Sequence, residues 1–292
     1  MKRIYSLIAI FILLLCLSGC ISTRHAEVVT TTQPTYTFTM FLCRDTGILV
    51  SPLITDNISC LHDYTLQVRQ MRMLESAEII VCSGAGLENF MQDLIPSQKY
   101  LINASTGIDL LCSAHTHDHS ESAHHSHESD PHIWLSPLNA KIMASNIAEG
   151  LCQSFPQHEK SIKNNLNTLH AELDELYSYG LSQLSQISSR ELITFHDGFS
   201  YFAQCFDLTI VESIEEESGS EASASQLIDL IEIVRENNLM AIFTETNGSA
   251  AAAQIISAET GIPIFTLDLG ISGDNYFHAM YKNIDTIKEA LG

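Results

Sequence analysis

Basic residues are scarce in this sequence of 292 residues. Lysine and arginine together number 14, against 35 aspartates and glutamates, so the formal net charge is -21 at pH 7. Such an excess of negative charge repels nucleic acids and anionic lipid surfaces, whereas it attracts small cations. The composition therefore argues against a polyanion as ligand and is compatible with a cation.

Hydrophobic runs long enough to cross a membrane are also missing. The apolar run at residues 7–17 has 11 residues, whereas a spanning helix needs about 20. Two basic residues precede this run and Leu17-Ser18-Gly19-Cys20 follows it, which is the pattern of a signal peptide with a bacterial lipidation site. We therefore expect a signal peptide at 1–19 and an extracytoplasmic protein anchored to the bacterial membrane through a lipid on Cys20.

No Cys-X-X-Cys pair is present, which argues against a zinc site built from cysteines. Of the eight cysteines, one lies in the signal segment and one is the expected anchor. The other six are Cys43, Cys60, Cys82, Cys112, Cys152 and Cys205. Six cysteines in an exported protein allow 15 pairings, and each is equally well interpreted as a small buried apolar residue. The sequence leaves their state open.

Strand and helix patterns alternate along the rest of the chain. The predicted strands are 36–42, 48–54, 79–82 and 100–103 in the first half, and 192–195, 208–211, 241–243 and 264–267 in the second. Segments such as 65–74 and 87–94 have helical patterns, and Ser136 followed by Pro137 predicts the start of another helix. This alternation predicts an α/β fold with two βα lobes, each with a four-stranded, mainly parallel sheet.

One long helix is predicted after Pro156. Its apolar stripe consists of Ile162, Leu166, Leu169, Leu173 and Leu176. The 4,3,4,3 spacing is helical. A helix of about 25 residues spans a whole domain, so we expect this helix to connect the two lobes. The alternative is an ordinary core helix. The predicted organisation is a signal peptide at 1–19, a lipidated cysteine and tether at 20–33, an N-terminal lobe at 34–155, a connecting helix at 156–188 and a C-terminal lobe at 189–292.

Side chains with metal-binding chemistry lie close to several predicted strands. His196 and Asp268 each come directly after a strand of the second lobe. In the first lobe, His62 comes shortly after the second strand and His132 precedes a helix. A lone histidine is more often a surface or core residue than a ligand. Ligands bind at the carboxyl ends of parallel strands, however, so two residues from each lobe would face one cleft.

Several motifs carry a family resemblance. They are the His-Asp-Tyr of 62–64, the Gly-Ala-Gly-Leu-Glu of 84–88, the Asp-Pro-His-Ile-Trp-Leu-Ser-Pro of 130–137, the His-Asp-Gly-Phe-Ser-Tyr-Phe of 196–202, the Phe-Thr-Glu of 243–245 and the Thr-Leu-Asp of 266–268. Over residues 36–292 the sequence resembles the ZnuA-like, cluster A-I (adhesin-type) metal-binding proteins of ABC importers. The resemblance implies two lobes joined by one long helix, and a metal held between them by His62, His132, His196 and Asp268.

The implied ligands indicate which metal ion the site prefers. Three neutral imidazoles and one carboxylate suit tetrahedral Zn²⁺, whereas relatives that prefer Mn²⁺ tend to replace the third histidine by a carboxylate. We therefore expect Zn²⁺ as the transported ligand, with Mn²⁺ as the alternative. Glu245 is a reserve candidate, either as an oxygen ligand or as support for an imidazole N–H, and the fourth ligand stays open among Asp268, Glu245 and water.

A histidine-rich, low-complexity segment covers residues 113–129. Its histidines are His115, His117, His119, His124, His125 and His127. The segment lacks apolar side chains larger than alanine, so it cannot build a core and we expect a loop. Six imidazoles would bind zinc weakly and at several places, which favours a scavenging or hand-over role, with a solvated insertion as the alternative.

Motifs of common enzymes are missing: the sequence contains no HExxH, no P-loop and no GxSxG. We expect a monomeric, non-enzymatic binding protein that captures Zn²⁺ and delivers it to an ABC permease and its ATPase. An exported zinc hydrolase is an alternative, because Glu245 could act as a general base if the zinc kept a water. An adhesin is another, because members of the resembled family often carry that name.

Overall fold

The computed structural model describes residues 26–55, 64–95, 98–112, 129–213, 223–246, 248, 250–271 and 275–292. Three predicted features lie outside them: the signal peptide with Cys20, the metal ligand His62, and the six histidines of the 113–129 segment.

Two parallel four-stranded sheets form the framework. The first contains β1 (Val28–Thr30), β2 (Val50–Pro52), β3 (Ile79–Cys82) and β4 (Tyr100–Asn103) in the order β2-β1-β3-β4. The second contains β5 (Glu191–Thr194), β6 (Thr209–Ser213), β7 (Ile242–Glu245) and β8 (Ile264–Leu267) in the order β6-β5-β7-β8. All paired strands run parallel, which confirms the predicted α/β class.

Eight α-helices lie among the described residues. They are α1 (Gln33–Leu42), α2 (Val68–Ser76), α3 (Pro137–Ser154), α4 (Glu159–Leu184), α5 (Ser200–Cys205), α6 (Ala224–Glu236), α7 (Ala251–Thr260) and α8 (Tyr276–Leu291). Short 3-10 helices cover Asn89–Leu94, Ile133–Leu135 and Pro156–His158. None of the helices described is long and apolar enough to cross a membrane.

The start of the first lobe differs from the prediction. Residues 36–42 were predicted as a strand because of their aromatic and β-branched side chains, but they lie in α1. Thr32 and Thr35 form a capping box, and Pro34 occupies the first turn, so local signals start a helix here. The first strand is instead Val28–Thr30, which pairs with β2 and β3 at the centre of its sheet. The predicted tether at 20–33 is therefore wrong from Val28 onward.

The other strand predictions and both long helices agree with the structure. Ser136 caps α3, its hydroxyl accepting a hydrogen bond from the Asn139 amide at 3.4 Å. Along α4 the predicted stripe faces inward, and α4 packs against α1 and α3 of the first lobe and α8 of the second. At Gly180 an added Cβ would lie 2.3 Å from the ring of Phe206. This close packing makes α4 part of both lobes, as expected of a connector.

Candidate metal site

The two described histidines of the predicted site meet between the lobes. His132 begins the short helix Ile133–Leu135 ahead of α3, and it is 4% exposed. His196 follows β5 by two residues, at the carboxyl end of its strand. The two Nε2 atoms are 3.2 Å apart, and the rings are nearly perpendicular, with an interplanar angle of 87°.

This separation fits a shared metal ion. Zinc binds imidazole nitrogen at about 2.0–2.1 Å, so two nitrogens at neighbouring corners of a tetrahedron lie about 3.4 Å apart. The observed 3.2 Å is close to that edge. Without a metal the two Nε2 atoms are within hydrogen-bond distance of each other, and the same separation would let both contact one small cation.

The opposite ring nitrogens face carboxylates. His132 Nδ1 lies 2.8 Å from Asp130 Oδ1, which also accepts a hydrogen bond from the His132 amide at 2.9 Å. His196 Nδ1 lies 3.8 Å from Glu245 Oε1, which is an ion-pair distance rather than a hydrogen bond. Carboxylates on the second ring nitrogen fix the orientation of metal-binding imidazoles and raise their basicity. Glu245 thus lies on the Nδ1 side of the His196 ring, and its role as a ligand or a supporting carboxylate stays a prediction.

Asp268 lies at the carboxyl end of β8, with β7 and its Glu245 between it and His196. The side chain of Asn283 on α8 holds its backbone. Asn283 Oδ1 accepts from the Asp268 amide at 2.8 Å, and Asn283 Nδ2 donates to the Asp268 carbonyl at 2.7 Å. One carboxylate oxygen, Oδ1, accepts from the Gly270 amide at 2.7 Å. The Asp268 backbone and one of its carboxylate oxygens are therefore fixed in place.

Gly198 lies in the tightest part of the site. A Cβ at this position would be 2.7 Å from His196 Cδ2, 2.9 Å from Leu269 Cδ2 and 3.3 Å from His132 Cδ2. At separations under 3.0 Å a neighbouring group must shift. Glycine at position 198 therefore leaves the His196 ring and the Leu269 side chain where they are.

The described residues hold only part of the predicted ligand set. Within them, no three His, Cys, Asp or Glu side chains come together as a complete metal-binding group. His62 lies outside the described residues, so its role stays a prediction. The structure brings together His132 and His196, places a carboxylate on the Nδ1 side of each ring, and puts Asp268 at the same edge of the second sheet.

The sequence did not predict the roles of three residues that position the site. Asp130 orients His132, Asn283 holds Asp268, and the Tyr201 hydroxyl donates to the Asp130 carbonyl at 3.1 Å. Asp130 and Tyr201 fall within motifs that the sequence analysis quotes, whereas Asn283 lies outside them on α8. Only the position of Asp130, two residues before His132, gave a readable signal, because that spacing allows a local hydrogen bond between the two side chains.

Comparison with known proteins identifies the family. The family model for "Zinc-uptake complex component A periplasmic" (ZnuA) matches residues 28–290. This chain belongs to the ZnuA family. A protein of Treponema pallidum named as metal-binding is 30% identical over 241 residues, covering 78% of this chain and 76% of its own length.

Two further relatives are named for zinc. The zinc-binding lipoprotein AdcA of Streptococcus pneumoniae is 30% identical over 313 residues; it covers 99% of this chain, which spans only 61% of AdcA. The crystal structure of a ZnuA deletion mutant with zinc bound has a TM-score of 0.78 and 29% identity, covering 91% of this chain and 97% of its own. The fold is therefore that of ZnuA-like binding proteins.

Proposed function

We propose that this chain is an extracytoplasmic binding protein that captures Zn²⁺ and delivers it to an ABC-type importer. The observation that carries this proposal is the 3.2 Å between the Nε2 atoms of His132 and His196. Their other ring nitrogens face Asp130 and Glu245. Two imidazoles oriented in this way suit a borderline-soft cation such as zinc.

The proposed ligands are His62, His132, His196 and Asp268. Three neutral imidazoles and one carboxylate leave a net charge of +1 around a divalent ion, in a tetrahedral set of three nitrogens and one oxygen. The nitrogen majority disfavours Mn²⁺, which prefers oxygen ligands. Glu245 takes the supporting position beside His196, consistent with its place on the Nδ1 side of that ring.

The comparisons support zinc and transport. AdcA is named a zinc-binding lipoprotein, the aligned ZnuA variant is described with zinc bound, and the family description is that of a periplasmic uptake component. By analogy, this chain acts as a monomer, is anchored through lipidated Cys20, and docks on a permease that is driven by a cytoplasmic ATPase. The histidine-rich segment at 113–129 supplies weaker zinc sites in this scheme.

A binding protein fits better than the alternatives. A hydrolase would need a zinc with an exchangeable water and a free general base, whereas Glu245 already faces the imidazole of His196. Family membership also indicates an uptake component rather than an enzyme. Among the described residues, we identify no surface that favours an adhesive role.

Elemental analysis tests the proposal. The purified chain without its signal peptide is loaded with zinc and manganese together, freed of loosely bound metal, and measured by mass spectrometry. We expect one tightly held zinc. His132→Ala and His196→Ala should each weaken zinc binding by more than the roughly 10–100-fold that loss of a supporting partner costs.

The control is His278→Ala, which removes an exposed histidine on α8 outside the site. This variant should bind zinc like the parent chain. An unchanged zinc affinity in His196→Ala would overturn the proposed site, and a preference for manganese in a protein that lacks residues 113–128 would overturn the assignment to zinc.

A further inference from the structure

The Tyr201 hydroxyl joins two segments of the chain that are far apart in sequence. It accepts a hydrogen bond from the Leu111 amide at 2.9 Å and donates one to the Asp130 carbonyl at 3.1 Å. Leu111 precedes the histidine-rich segment and Asp130 follows it. One side chain of the second lobe therefore ties both flanks of this segment.

The hydroxyl occupies a position within an antiparallel pair. The Asp130 amide donates directly to the Leu111 carbonyl at 2.9 Å, and Cys112 and Ser129 form an antiparallel bridge beside it. In a regular hydrogen-bonded pair the Leu111 amide would donate directly to the Asp130 carbonyl as well. Here that second bond runs through the Tyr201 oxygen, so the hydroxyl holds this side of the pair open.

The position of Asp130 determines that of His132. Asp130 is completely buried. Its Oδ1 atom lies 2.8 Å from His132 Nδ1 and 2.9 Å from the His132 amide nitrogen. Any displacement of the Asp130 backbone would therefore be transmitted to the imidazole. The Tyr201 hydroxyl is thus linked to His132 through one residue.

Tyr201 is itself firmly placed. It lies on α5, five residues after His196, and is 1% exposed. Burial raises the pKa of its hydroxyl to about 12, so the hydroxyl keeps its proton at neutral pH and can donate and accept at once. Tyr201, which binds the Asp130 carbonyl, therefore lies on a helix that begins shortly after His196.

We infer that Tyr201 is a positioning residue for metal capture, which holds Asp130 and thereby His132 in register with His196 across the two lobes. This inference rests on the proposed function, because the metal gives the alignment its purpose. It goes beyond that function because the Tyr201 hydroxyl, which would not contact the metal, sets the relative position of the two imidazoles.

Tyr201→Phe tests the inference, because it removes the hydroxyl and keeps the ring. In the metal-free protein, we expect the Leu111 amide to exchange its proton about tenfold faster, the factor for one lost hydrogen bond of ordinary strength. The ¹⁵N resonances of the His132 ring should shift as its contact with Asp130 loosens. Zinc affinity should fall about tenfold, at the lower end of the effect of outer-shell partners.

Tyr276→Phe is the matched control. Tyr276 is also fully buried, and its hydroxyl donates across the lobes to the Trp134 carbonyl at 2.9 Å, but it contacts neither Asp130 nor Leu111. It should lower the unfolding midpoint to a similar extent while leaving the Leu111 exchange rate and the His132 resonances as in the parent. Equal losses of zinc affinity in the two variants would overturn the inference, because the cause would then be general loosening between the lobes.

The metal-free measurements separate this inference from the proposed function. A parent chain without tight zinc would contradict the function, while the exchange and ring resonances would still report on the hydroxyl. Unchanged Leu111 exchange and unchanged His132 resonances in Tyr201→Phe would overturn the inference even if zinc binds as proposed.

Discussion

At the scale of single residues, the site depends on a missing side chain. Gly198→Ala would place a methyl group within 3.0 Å of both His196 Cδ2 and Leu269 Cδ2. The His196 ring would have to move, which changes its separation from His132, so we expect zinc affinity to fall about tenfold, as for other disturbances of ligand orientation. Competition with a chromophoric chelator measures this loss, and the unfolding midpoint of the metal-free variant serves as the control. Parent-like zinc affinity would show that the site tolerates this movement.

The cysteines give a second prediction at this scale. The described cysteines, Cys43, Cys82, Cys112, Cys152 and Cys205, are free thiols in the structure. Burial raises the pKa of the Cys43 thiol to about 12, and the nearby Glu27 adds a smaller contribution. Burial also raises the pKa of the Cys82 thiol, with a smaller contribution from Glu88. Thiolates are the reactive form, so both should be inert at pH 8.

A thiol-specific reagent tests the cysteines in the native protein. The exposed Cys112 should be modified first, and Cys43 and Cys82 only after unfolding. Peptide mapping of the modified protein identifies the sites. Cys82 is only 9% exposed, which leaves little access for the reagent. Fast modification of Cys82 in the native state would contradict this burial. Cys60 lies outside the described residues.

The residues of the site were only partly predictable. His132, His196 and Asp268 could be named because each lies at a strand end or in a recognisable motif. The roles of Tyr201 and Asn283 could not, since each acts through a hydrogen bond over 71 or 15 residues of separation. Such contacts depend on how the lobes pack, and no local pattern encodes them.

At the scale of elements, the chain shows where local patterns mislead. Residues 36–42 have the composition of a strand, but the buried positions of the helix that contains them, Thr35, Phe38, Thr39 and Leu42, recur with helical spacing. The capping box before them decides the outcome, because it satisfies the first amides of a helix. The short strand Val28–Thr30 was missed because three residues give too little alternation to recognise.

The turn after β3 contains a buried acid that should make stability depend on pH. The Glu88 carboxylate accepts hydrogen bonds from the Thr31 hydroxyl at 2.6 Å, the Ser83 amide at 2.7 Å and the Gly84 amide at 3.0 Å. Burial raises the pKa of Glu88 nevertheless, outweighing these donors. The folded state therefore binds a proton over a pH range in which the unfolded chain has released it.

The sign of the effect follows from this difference. The contribution of Glu88 to stability is complete below the unfolded pKa of about 4.3 and is lost as pH rises through the higher folded value. Glu88→Gln cannot ionise, so the free energy of unfolding of the parent should fall relative to this variant as pH rises above about 4.3. Urea unfolding of both proteins across this range measures the difference. A constant offset at all pH values would show that the pKa of Glu88 is not raised.

At the scale of the whole molecule, the two lobes form one continuous structure. The Trp134 indole donates to the Leu269 carbonyl at 2.7 Å, Tyr276 donates back to Trp134, and α4 runs along both lobes. The rings of Phe38 on α1 and Tyr276 on α8 meet with centroids 4.9 Å apart. The two lobes are thus joined by a packed interface rather than by loops alone.

The histidine-rich segment should be removable from this framework. Its flanks are already joined, since the Asp130 amide donates to the Leu111 carbonyl at 2.9 Å and Cys112 pairs with Ser129. Replacing residues 113–128 by a flexible four-residue Gly/Ser linker should therefore leave folding and the tight zinc site intact. Elemental analysis should still find one tight zinc, with the weaker and variable zinc lost.

The effect of this deletion should appear only when zinc is scarce. If the six imidazoles bind zinc weakly, as the sequence predicts, they would raise the local zinc concentration, and this matters when diffusion from solution is limiting. Uptake by cells that carry the deletion should match the parent in ample zinc and fall below it in limiting zinc. A variant with the six histidines replaced by serine in an intact segment is the control, and it should behave like the deletion because the imidazoles are the active groups. Equal uptake by all three proteins in limiting zinc would leave the segment as a solvated insertion, and loss of the tight site in both variants would show that one of its histidines is a ligand of that site.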